Sequence, residues 1–382
     1  MMQWTLDLTA AASLVVDDFR AASCASVAAA RRAGGQWVYG AGAAGRLTFA
    51  PDAPLADVAT CFDLASVSKP LTALTLARLA RAGVIGREEE LAAILPAVEP
   101  TRSARVALDL FSAHRAGLDG HRPLFAPLLE GKPFDPRIAL LTAADARRAD
   151  CAGHPPPGGF APVYSDLGYL LLGAALAARA GADLDRVIAR EITGPLGLRI
   201  GSARQLRAED PRVDERVAST EDVPWRGGVI RGATHDENAW AYAGDGAAGH
   251  AGLFGDALSV VRLGVAVLEA IAGERPGWLT PAEVEPLVRD RPGGSLLAGF
   301  DRRSGEAPLS GAHFGARTFG HLGFTGTSLW IDPDAELVGV LLTNRVHPTR
   351  AADAIRRARP AAHDAIVARM ASDPGRAAIA RS

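Results

Sequence analysis

Segments with the pattern of β-strands lie near both ends of this chain of 382 residues, and helical patterns fill the middle. Residues 26–31 and 36–39 flank a turn at Gly34-Gly35, which predicts a β-hairpin. Strands that are distant in sequence can join one sheet. The economical prediction is therefore an α+β fold: one antiparallel sheet built from both chain ends, with flanking helices and an inserted helical lobe. The further strands predicted are 46–49, 317–321, 325–332 and 336–344.

One helix is predicted from Ser68 to Ala82. Its apolar positions fit a mostly buried helix, Pro70 suits the first turn, and Gly83 suits the position just after the last turn. Near the end of the chain, Pro360 separates two predicted helices, because proline interrupts helical hydrogen bonding. The other helices predicted are 9–22, 167–178, 350–359 and 361–371.

The chain is longer than one simple core requires, so two lobes are expected. We predict a single domain over residues 10–355. An α/β lobe would comprise about residues 1–85 and 230–370, and a mainly helical lobe about residues 86–229. Residues 372–382 are predicted to form a loose tail.

The composition is that of an ordinary soluble globular protein, with 48% hydrophobic residues and a net charge of -2. No basic excess predicts a nucleic-acid partner, and no apolar stretch of about 18 residues predicts a membrane span. The first residues lack the positive region of a secretory signal, so we expect a cytoplasmic location, or a periplasmic one if translation starts elsewhere. The oligomeric state is open. Cys24, Cys61 and Cys151 lack metal-type spacing and are predicted to be buried thiols.

Two motifs suggest ligands, but their sequence context argues against both. Residues 40–45 match G-x-G-x-x-G, yet a dinucleotide fold needs a helix to open at the third glycine, and Pro51 and Pro54 follow instead. Residues 235–237 are His, Asp and Glu, but successive side chains of a strand point to opposite faces. We therefore expect no cofactor and no metal. The first segment is predicted to connect strands, and the second to border a binding cleft.

Lys69 is one of only two lysines among 41 basic residues, and it stands three positions after Ser66. On a helix, positions i and i+3 share a face, so the hydroxyl and the amine can meet. Arginine stays protonated in proteins, whereas a desolvated lysine can act as a base. The pair predicts a serine nucleophile with an amine beside it. The alternative is a helix cap followed by a surface lysine.

A second candidate segment contains Tyr164 and Asp166, just before the helix predicted over 167–178. Tyr164 is either a packing residue or a phenol whose pKa a nearby ammonium lowers. In the second case it could exchange protons with Ser66.

A third candidate segment contains His321, Gly323 and Phe324. The glycine lets a strand backbone approach a ligand closely, and the backbone N–H of Phe324 could then serve as an oxyanion donor together with that of Ser66. His321 is either a structural residue at a strand end or part of the catalytic site.

The three motifs follow one another as S-x-x-K at 66–69, Y-S-D at 164–166 and H-x-G at 321–323. In this order, and over about residues 10–350, the chain resembles the serine β-lactamase and penicillin-binding-protein superfamily. The resemblance is to its branch similar to class C β-lactamases and related esterases and D-amino-acid peptidases. Further stretches that look similar are 62–70, 114–118, 195–198, 235–239, 249–254, 328–333 and 342–345.

The resemblance implies a β-lactamase/transpeptidase-like fold and a serine hydrolase that forms an acyl-enzyme on an amide or ester. It implies that Ser66 is acylated and that Lys69 and Tyr164 share the proton transfers. Asp166 stands where class C enzymes usually carry Asn, and His321 stands where many carry Lys. The oxyanion and substrate-binding residues implied are Ser66, Gly323 and Phe324.

These two departures from the family pattern affect the expected mechanism and substrate. Asp166 adds a carboxylate that would keep Lys69 protonated, so Tyr164 becomes the better candidate base for Ser66. His321 replaces a permanent cation by a group that titrates near neutrality. We therefore expect a small ester, D-amino-acid peptide or muropeptide as substrate rather than efficient penicillin hydrolysis. The alternative is a catalytically silent fold that binds a ligand or regulates.

Overall fold

The computed structural model describes residues 4–372, and its centre is a seven-stranded sheet assembled from both ends of the chain. The strands are β1 Trp4–Asp7, β2 Cys24–Ala33, β3 Gln36–Gly45, β4 Phe62–Asp63, β5 Ile200–Gly201, β6 Asp222–Val223, β7 Gly228–Val229, β8 Phe254–Gly255, β9 Asp301–Arg302, β10 Phe319–Leu322, β11 Ser328–Asp332 and β12 Leu337–Thr343. The order in the large sheet is β1-β3-β2-β12-β11-β10-β9. Neighbours are antiparallel except β1 and β3, which run parallel.

Helices cover the sheet and, with four two-residue strands between them, predominate in the chain between β4 and β9, in line with the helical middle that the sequence predicted. The helices are α1 Thr9–Ser13, α2 Ser68–Arg81, α3 Leu91–Ile94, α4 Leu108–Ser112, α5 Ala126–Leu129, α6 Pro136–Asp145, α7 Asp166–Ala180, α8 Leu184–Ile188, α9 Gly194–Leu196, α10 Ala203–Glu209, α11 Glu237–Ala243, α12 Ala257–Ile271, α13 Pro281–Val288 and α14 Ile355–Ala371. Two short sheets, β4-β8-β5 and β6-β7, lie outside the large one. The first of them leads directly into the segment that contains Ser66.

The central strands bury both of their faces, because successive side chains of a strand point in opposite directions. Val27 and Leu341 belong to a hydrophobic cluster with residues of α1 and α14 on one face. Ala28 and Val340 belong to the main hydrophobic cluster on the other face, which includes residues of α2, α7 and α12. This arrangement accounts for the nearly continuous apolar sequence of β2 and β12.

Two elements predicted near the N-terminus differ from the structure. The strand predicted over 46–49 does not form, and only an isolated bridge joins Arg46 to Leu55. The helix predicted over 9–22 is shorter, because α1 continues only through a single π-turn, Leu14–Asp18. The chain then leaves the helix and enters β2, whose pairing with both β3 and β12 fixes its position.

Two predictions that were based on proline and glycine residues differ from the structure. The break predicted at Pro360 is wrong, because Pro360 lies inside α14 and the packing of that helix on the sheet outweighs one lost hydrogen bond. Residues 40–45 are part of β3 rather than a connection. A Cβ at Gly42 would lie 2.2 Å from the backbone nitrogen of Thr9, so glycine lets α1 pack directly against the sheet.

The division into two lobes stays a prediction, and the predicted tail lies almost wholly outside the described residues, at 373–382. Cys24, Cys61 and Cys151 are buried free thiols, as predicted. In residues 4–372, no single helix has both the length and the apolar character needed to cross a membrane. The pair Asp166–Ala180 and Leu184–Leu196, bent by 74°, passes that test only when its two helices are taken together.

Candidate active site

Ser66 lies in a single 3₁₀ turn, Ala65–Val67, between β4 and α2. The residue before it, Ala65, has a φ of +48°, which is uncommon for a residue with a Cβ and requires support from its surroundings. The buried carboxylate of Asp63 provides such support. It accepts hydrogen bonds from the backbone N–H groups of Ala65 at 2.8 Å and His235 at 2.7 Å. The serine is therefore presented on a fixed turn at the N-terminal end of α2.

Lys69 lies in the first turn of α2, and its side chain has no exposed surface. Its Nζ donates hydrogen bonds to Ser66 Oγ at 2.8 Å, to Asp166 Oδ1 at 2.7 Å and to the backbone carbonyl of His250 at 3.4 Å. Burial by itself lowers the pKa of Lys69, but the Asp166 carboxylate, followed by Tyr164, raises it above its ordinary value. The surface-lysine alternative is wrong, and Lys69 is a buried ammonium at neutral pH.

Tyr164 lies beside both Lys69 and Ser66. Its ring centre is 4.6 Å from Lys69 Nζ, and its hydroxyl interacts with Lys69 and Ser66. Burial of the hydroxyl raises the pKa of Tyr164, and the Lys69 ammonium offsets this only in part. The expectation that the ammonium lowers this pKa below its ordinary value is therefore wrong, because desolvation is the larger effect. The imidazole of His114 stacks on the phenol with 4.7 Å between ring centres.

Asp166 is the first residue of α7, where the helix dipole favours a carboxylate. Ser165 caps this helix, since its side chain accepts a hydrogen bond from the N–H of Gly168 at 3.2 Å. The Asp166 side chain is 22% exposed and forms an ion pair with Lys69. The raised pKa of Lys69 agrees with the effect predicted for this carboxylate.

His321 lies in β10, and its ring centre is 5.9 Å from that of Tyr164. Its Nδ1 lies 2.8 Å from the carbonyl oxygen of Leu322, so Nδ1 carries the proton and Nε2 is left as an acceptor. Burial, together with the positive charge of Lys69, lowers the pKa of His321 to about 3. The prediction that this histidine titrates near neutrality is wrong, and it does not replace a cation.

Gly323 and Phe324 follow β10 in a turn that is attached to the segment before Ser66. The hydroxyl of Thr327 donates a hydrogen bond to the carbonyl of Leu64 at 2.9 Å. A Cβ at Gly323 would lie 1.9 Å from the Thr327 hydroxyl and 2.7 Å from the Leu64 carbonyl oxygen, so only glycine fits. The N–H of Phe324 makes no hydrogen bond to the part of the chain described. It is therefore available as an oxyanion donor.

Ser66, Tyr164, Asp166 and Phe324 line one cleft of about 970 Å³. This cleft brings together the three motifs, which are separated by long stretches of sequence. Part of its wall consists of arginines from the segment that follows β12 and from α14. They are Arg345, Arg350, Arg356 and Arg359.

The arginines of this wall differ in their partners. Arg350 is neutralised by Glu221 and Glu237. Arg345 donates to the carbonyl of Phe324 at 2.6 Å. Arg356 is exposed to the cleft and forms no ion pair with any residue among 4–372. Among the described residues, Arg345, Arg356 and Arg359 thus form no ion pair, and neither does Asp353, a carboxylate that also lines the cleft.

The His-Asp-Glu segment at 235–237 borders the cleft, as predicted, but its side chains take separate partners. Asp236 pairs with His250 at 3.0 Å, while the other two pair with Glu221 and Arg350. Burial opposes ionisation of both Asp236 and His250, but their ion pair raises the pKa of His250 and lowers that of Asp236. Among the described residues, no group of three or more His, Cys, Asp or Glu is placed to hold a metal ion.

Sequence reasoning did not assign a role to three residues that complete the site. The sequence places His114 and His250 only within stretches that look similar to the family, and it gives no indication for Arg359. Nothing in the sequence around these three residues indicates a role in the site. Their roles depend on contacts with Tyr164 and Lys69, or with the turn after β10, which only the folded chain provides.

Comparison with known proteins agrees with this geometry. A family model described as Beta-lactamase matches residues 12–363. This chain belongs to the Beta-lactamase family. The family resemblance and the β-lactamase/transpeptidase-like fold expected from the sequence are thus confirmed.

Relatives of this Beta-lactamase-family chain carry names of several hydrolases. A Bacillus subtilis (strain 168) "N-acetylmuramyl-L-alanine amidase" is 28% identical over 312 residues, which are 75% of this chain and 68% of that protein. A Salmonella agona (strain SL483) "Putative D-alanyl-D-alanine carboxypeptidase" is 29% identical over 197 residues, which are 48% of this chain and 45% of that protein. The match thus spans about two thirds of the first relative and under half of the second.

A solved structure shares the fold over nearly the whole chain. "EstCE1, a hydrolase with promiscuous acyltransferase activity" has a TM-score of 0.68 and 22% identity, and the match covers 94% of this chain and 97% of that one. The serine-hydrolase class expected from the sequence is confirmed at the level of the family.

Proposed function

We propose that this protein is a serine hydrolase that acts through an acyl-enzyme at Ser66, on a small amide or ester that carries a free carboxylate. The observation that carries the proposal is the wholly buried Lys69 Nζ, which donates at once to Ser66 Oγ and Asp166 Oδ1 at 2.8 and 2.7 Å. Burial of an ammonium is unfavourable unless it is paired and hydrogen-bonded, and both partners of this ammonium are groups of the candidate site. The silent alternative gains no support, because every group that acylation needs is present.

In the proposed reaction, Ser66 Oγ attacks the substrate carbonyl and the oxyanion binds the N–H groups of Ser66 and Phe324. The serine proton must leave, although Lys69 and Tyr164 are both protonated in the resting site. Transfer of a proton from Lys69 to Asp166 would leave a neutral amine that accepts the serine proton directly or through Tyr164. The same groups then return a proton to the leaving amine or alcohol. Water hydrolyses the resulting ester.

The charge of the cleft supports a carboxylate on the substrate. His321 is neutral because of its burial, so this residue provides no cation to the cleft. Arg356 lines the cleft, is exposed and lacks an ion-pair partner among the described residues. A guanidinium in this situation suits a carboxylate. The names of the amidase and carboxypeptidase relatives support peptide-like substrates of this kind, such as D-amino-acid peptides or muropeptides.

Acylation can be tested by intact-mass spectrometry after reaction with a fluorophosphonate probe. We expect one adduct on the wild-type protein and none on Ser66→Ala. The matched control is Ser68→Ala, since Ser68 is a buried serine two positions away whose hydroxyl makes no hydrogen bond in the described chain. An adduct that persists in Ser66→Ala, or its loss in Ser68→Ala alone, would contradict the proposal.

The substrate class can be tested with a pair of peptides that differ only in a free or amidated C-terminus. Arg356→Ala should raise KM for the free acid by about 10-fold, as expected for loss of one charge-assisted contact, and leave the amide unchanged. The control is Arg357→Ala, since the neighbouring arginine contacts the ring of Phe19 and does not line the cleft. Equal effects of Arg356→Ala on both peptides would refute recognition of the carboxylate.

A further inference from the structure

A buried arginine lies directly behind the turn that carries the second oxyanion donor. Arg359, in α14, is 6% exposed, and its Nη2 lies 3.4 Å from the carbonyl oxygens of both Gly323 and Thr327. No carboxylate in residues 4–372 forms an ion pair with Arg359. Burial, followed by the charge of Arg345, lowers the pKa of Arg359 to about 10, which leaves it a cation at neutral pH.

The peptide group between Gly323 and Phe324 connects this cation to the cleft. It is a trans peptide, so its C=O and N–H point in opposite directions. The Gly323 carbonyl accepts hydrogen bonds from the N–H of Gly326 at 3.0 Å and from Arg359. The Phe324 N–H therefore points away from the guanidinium. A cation at the carbonyl end of a peptide polarises the group and strengthens its N–H as a donor.

We propose that Arg359 is a positioning residue for the oxyanion hole, because its charge fixes and polarises the Gly323–Phe324 peptide group so that the Phe324 N–H stabilises the oxyanion formed at Ser66. The proposal rests on the acyl-enzyme function proposed above. A purely structural role does not account for the missing counter-ion, since an apolar side chain would fill this position without an unpaired buried charge. Arg359 acts through the peptide group and does not touch the reacting atoms.

The experiment compares Arg359→Met, which removes the charge and keeps the approximate length, with Arg359→Lys, which keeps the charge. The substrate is p-nitrophenyl acetate, which has no carboxylate, so binding of a substrate anion does not contribute. The acylation rate, KM, the affinity for phenylboronic acid and the melting temperature are measured for each variant. Phenylboronic acid forms a tetrahedral adduct with a reactive serine and so reports on the oxyanion hole. The control is Arg357→Met, on the exposed side of the same helix.

We expect Arg359→Met to slow acylation and to weaken phenylboronic acid binding by about 10-fold each, less than the loss of a whole oxyanion donor. KM should change by less than about 2-fold, since a transition-state interaction is removed. The melting temperature should not fall, because an unpaired buried charge has been replaced by an apolar group. Arg359→Lys should recover part of the acylation rate.

Three results would overturn the inference. The first is acylation by Arg359→Met at the wild-type rate, and the second is a large fall in its melting temperature, which would make the arginine structural. The third is an equal loss of acylation in Arg359→Lys and Arg359→Met. If the wild-type protein itself forms no adduct at Ser66, the proposed function fails, and this result is distinct from the other three.

Discussion

The substitution Asp166→Asn tests how the ion pair sets the protonation of Lys69. It removes the negative charge 2.7 Å from Lys69 Nζ and keeps a side chain of nearly the same shape. Two unit charges at this distance attract by about 6 kcal/mol at an effective dielectric constant of about 20. Because the new amide oxygen can still accept a hydrogen bond, the measured loss should be nearer about 3–5 kcal/mol, as for other broken buried pairs.

This loss means that the pKa of Lys69 is lower in the variant than in the wild-type protein. In the wild-type protein the pKa of Lys69 is raised, so its contribution to stability is present below the pKa of the unfolded chain and is lost only above the folded pKa. In Asp166→Asn, the effect of burial on Lys69 is no longer offset by the carboxylate. The pKa of Lys69 in the folded variant therefore lies below its pKa in the unfolded chain. The variant is then penalised as pH falls below about 10.4, until Lys69 is protonated in both states.

Two assays test this pH dependence. The difference in free energy of unfolding between wild type and Asp166→Asn, measured by urea denaturation, should be smaller at about pH 10 than at about pH 7. The burst rate with p-nitrophenyl acetate should begin to rise at a lower pH in the variant than in wild type, because Lys69 loses its proton more readily there and becomes available as a base.

The control is Asp334→Asn, which removes a carboxylate from an exposed pair with Arg317 and should leave the free energy of unfolding nearly unchanged at either pH. The reasoning is refuted if Asp166→Asn shows the same stability deficit at both pH values and a burst-rate profile that superimposes on that of wild type.

Three further substitutions test other parts of the site. Lys69→Arg keeps the charge but should reduce acylation by about 1,000-fold, since arginine cannot exchange the proton. In the same burst assay, Lys132→Arg, at the exposed second lysine, should leave the acylation rate unchanged. Gly323→Ala should abolish acylation and lower the melting temperature, since its Cβ would overlap a hydroxyl and a backbone carbonyl; Gly277→Ala, with open space around it, should do neither. His321→Gln should leave the shape of the acylation profile between about pH 5 and 8 unchanged, because wild-type His321 stays neutral until about pH 3. The same substitution should remove part of the loss of stability below about pH 6.5, because the unfolded histidine gains a proton there and the folded one does not. A profile that loses its acid limb in His321→Gln would show that this histidine titrates in the working range.

Local sequence patterns predicted the parts of this protein that local geometry decides. The meeting of Ser66 and Lys69 follows from a spacing of three residues at a helix start, whatever the rest of the chain does. The hairpin, α2, α7 and the strands near the end follow from residue patterns within single segments, although their ends differ by a few residues. The grouping of strands at both chain ends, with helices between, was sufficient to predict one sheet with an inserted helical region.

Some elements could not be predicted because a distant partner decides them. The parallel strand β1, the continuity of α14 through Pro360 and the strand at residues 40–45 all depend on packing against other elements. A local proline or glycine signal is worth only a few kcal/mol, and burial of an apolar face can exceed it.

Sequence alone therefore determined which residues could perform acyl transfer, and the tertiary structure decided their protonation and support. Tyr164 has a raised pKa and His321 a pKa of about 3 because the phenol hydroxyl and the imidazole are desolvated in the folded chain, and no spacing in the sequence reports desolvation. Asp166 reaches Lys69 across 97 positions, and Arg359 lies 36 positions from the carbonyl it contacts. Electrostatic energies depend on the distances between charged groups and on the exclusion of water from them, and only folding fixes these two quantities.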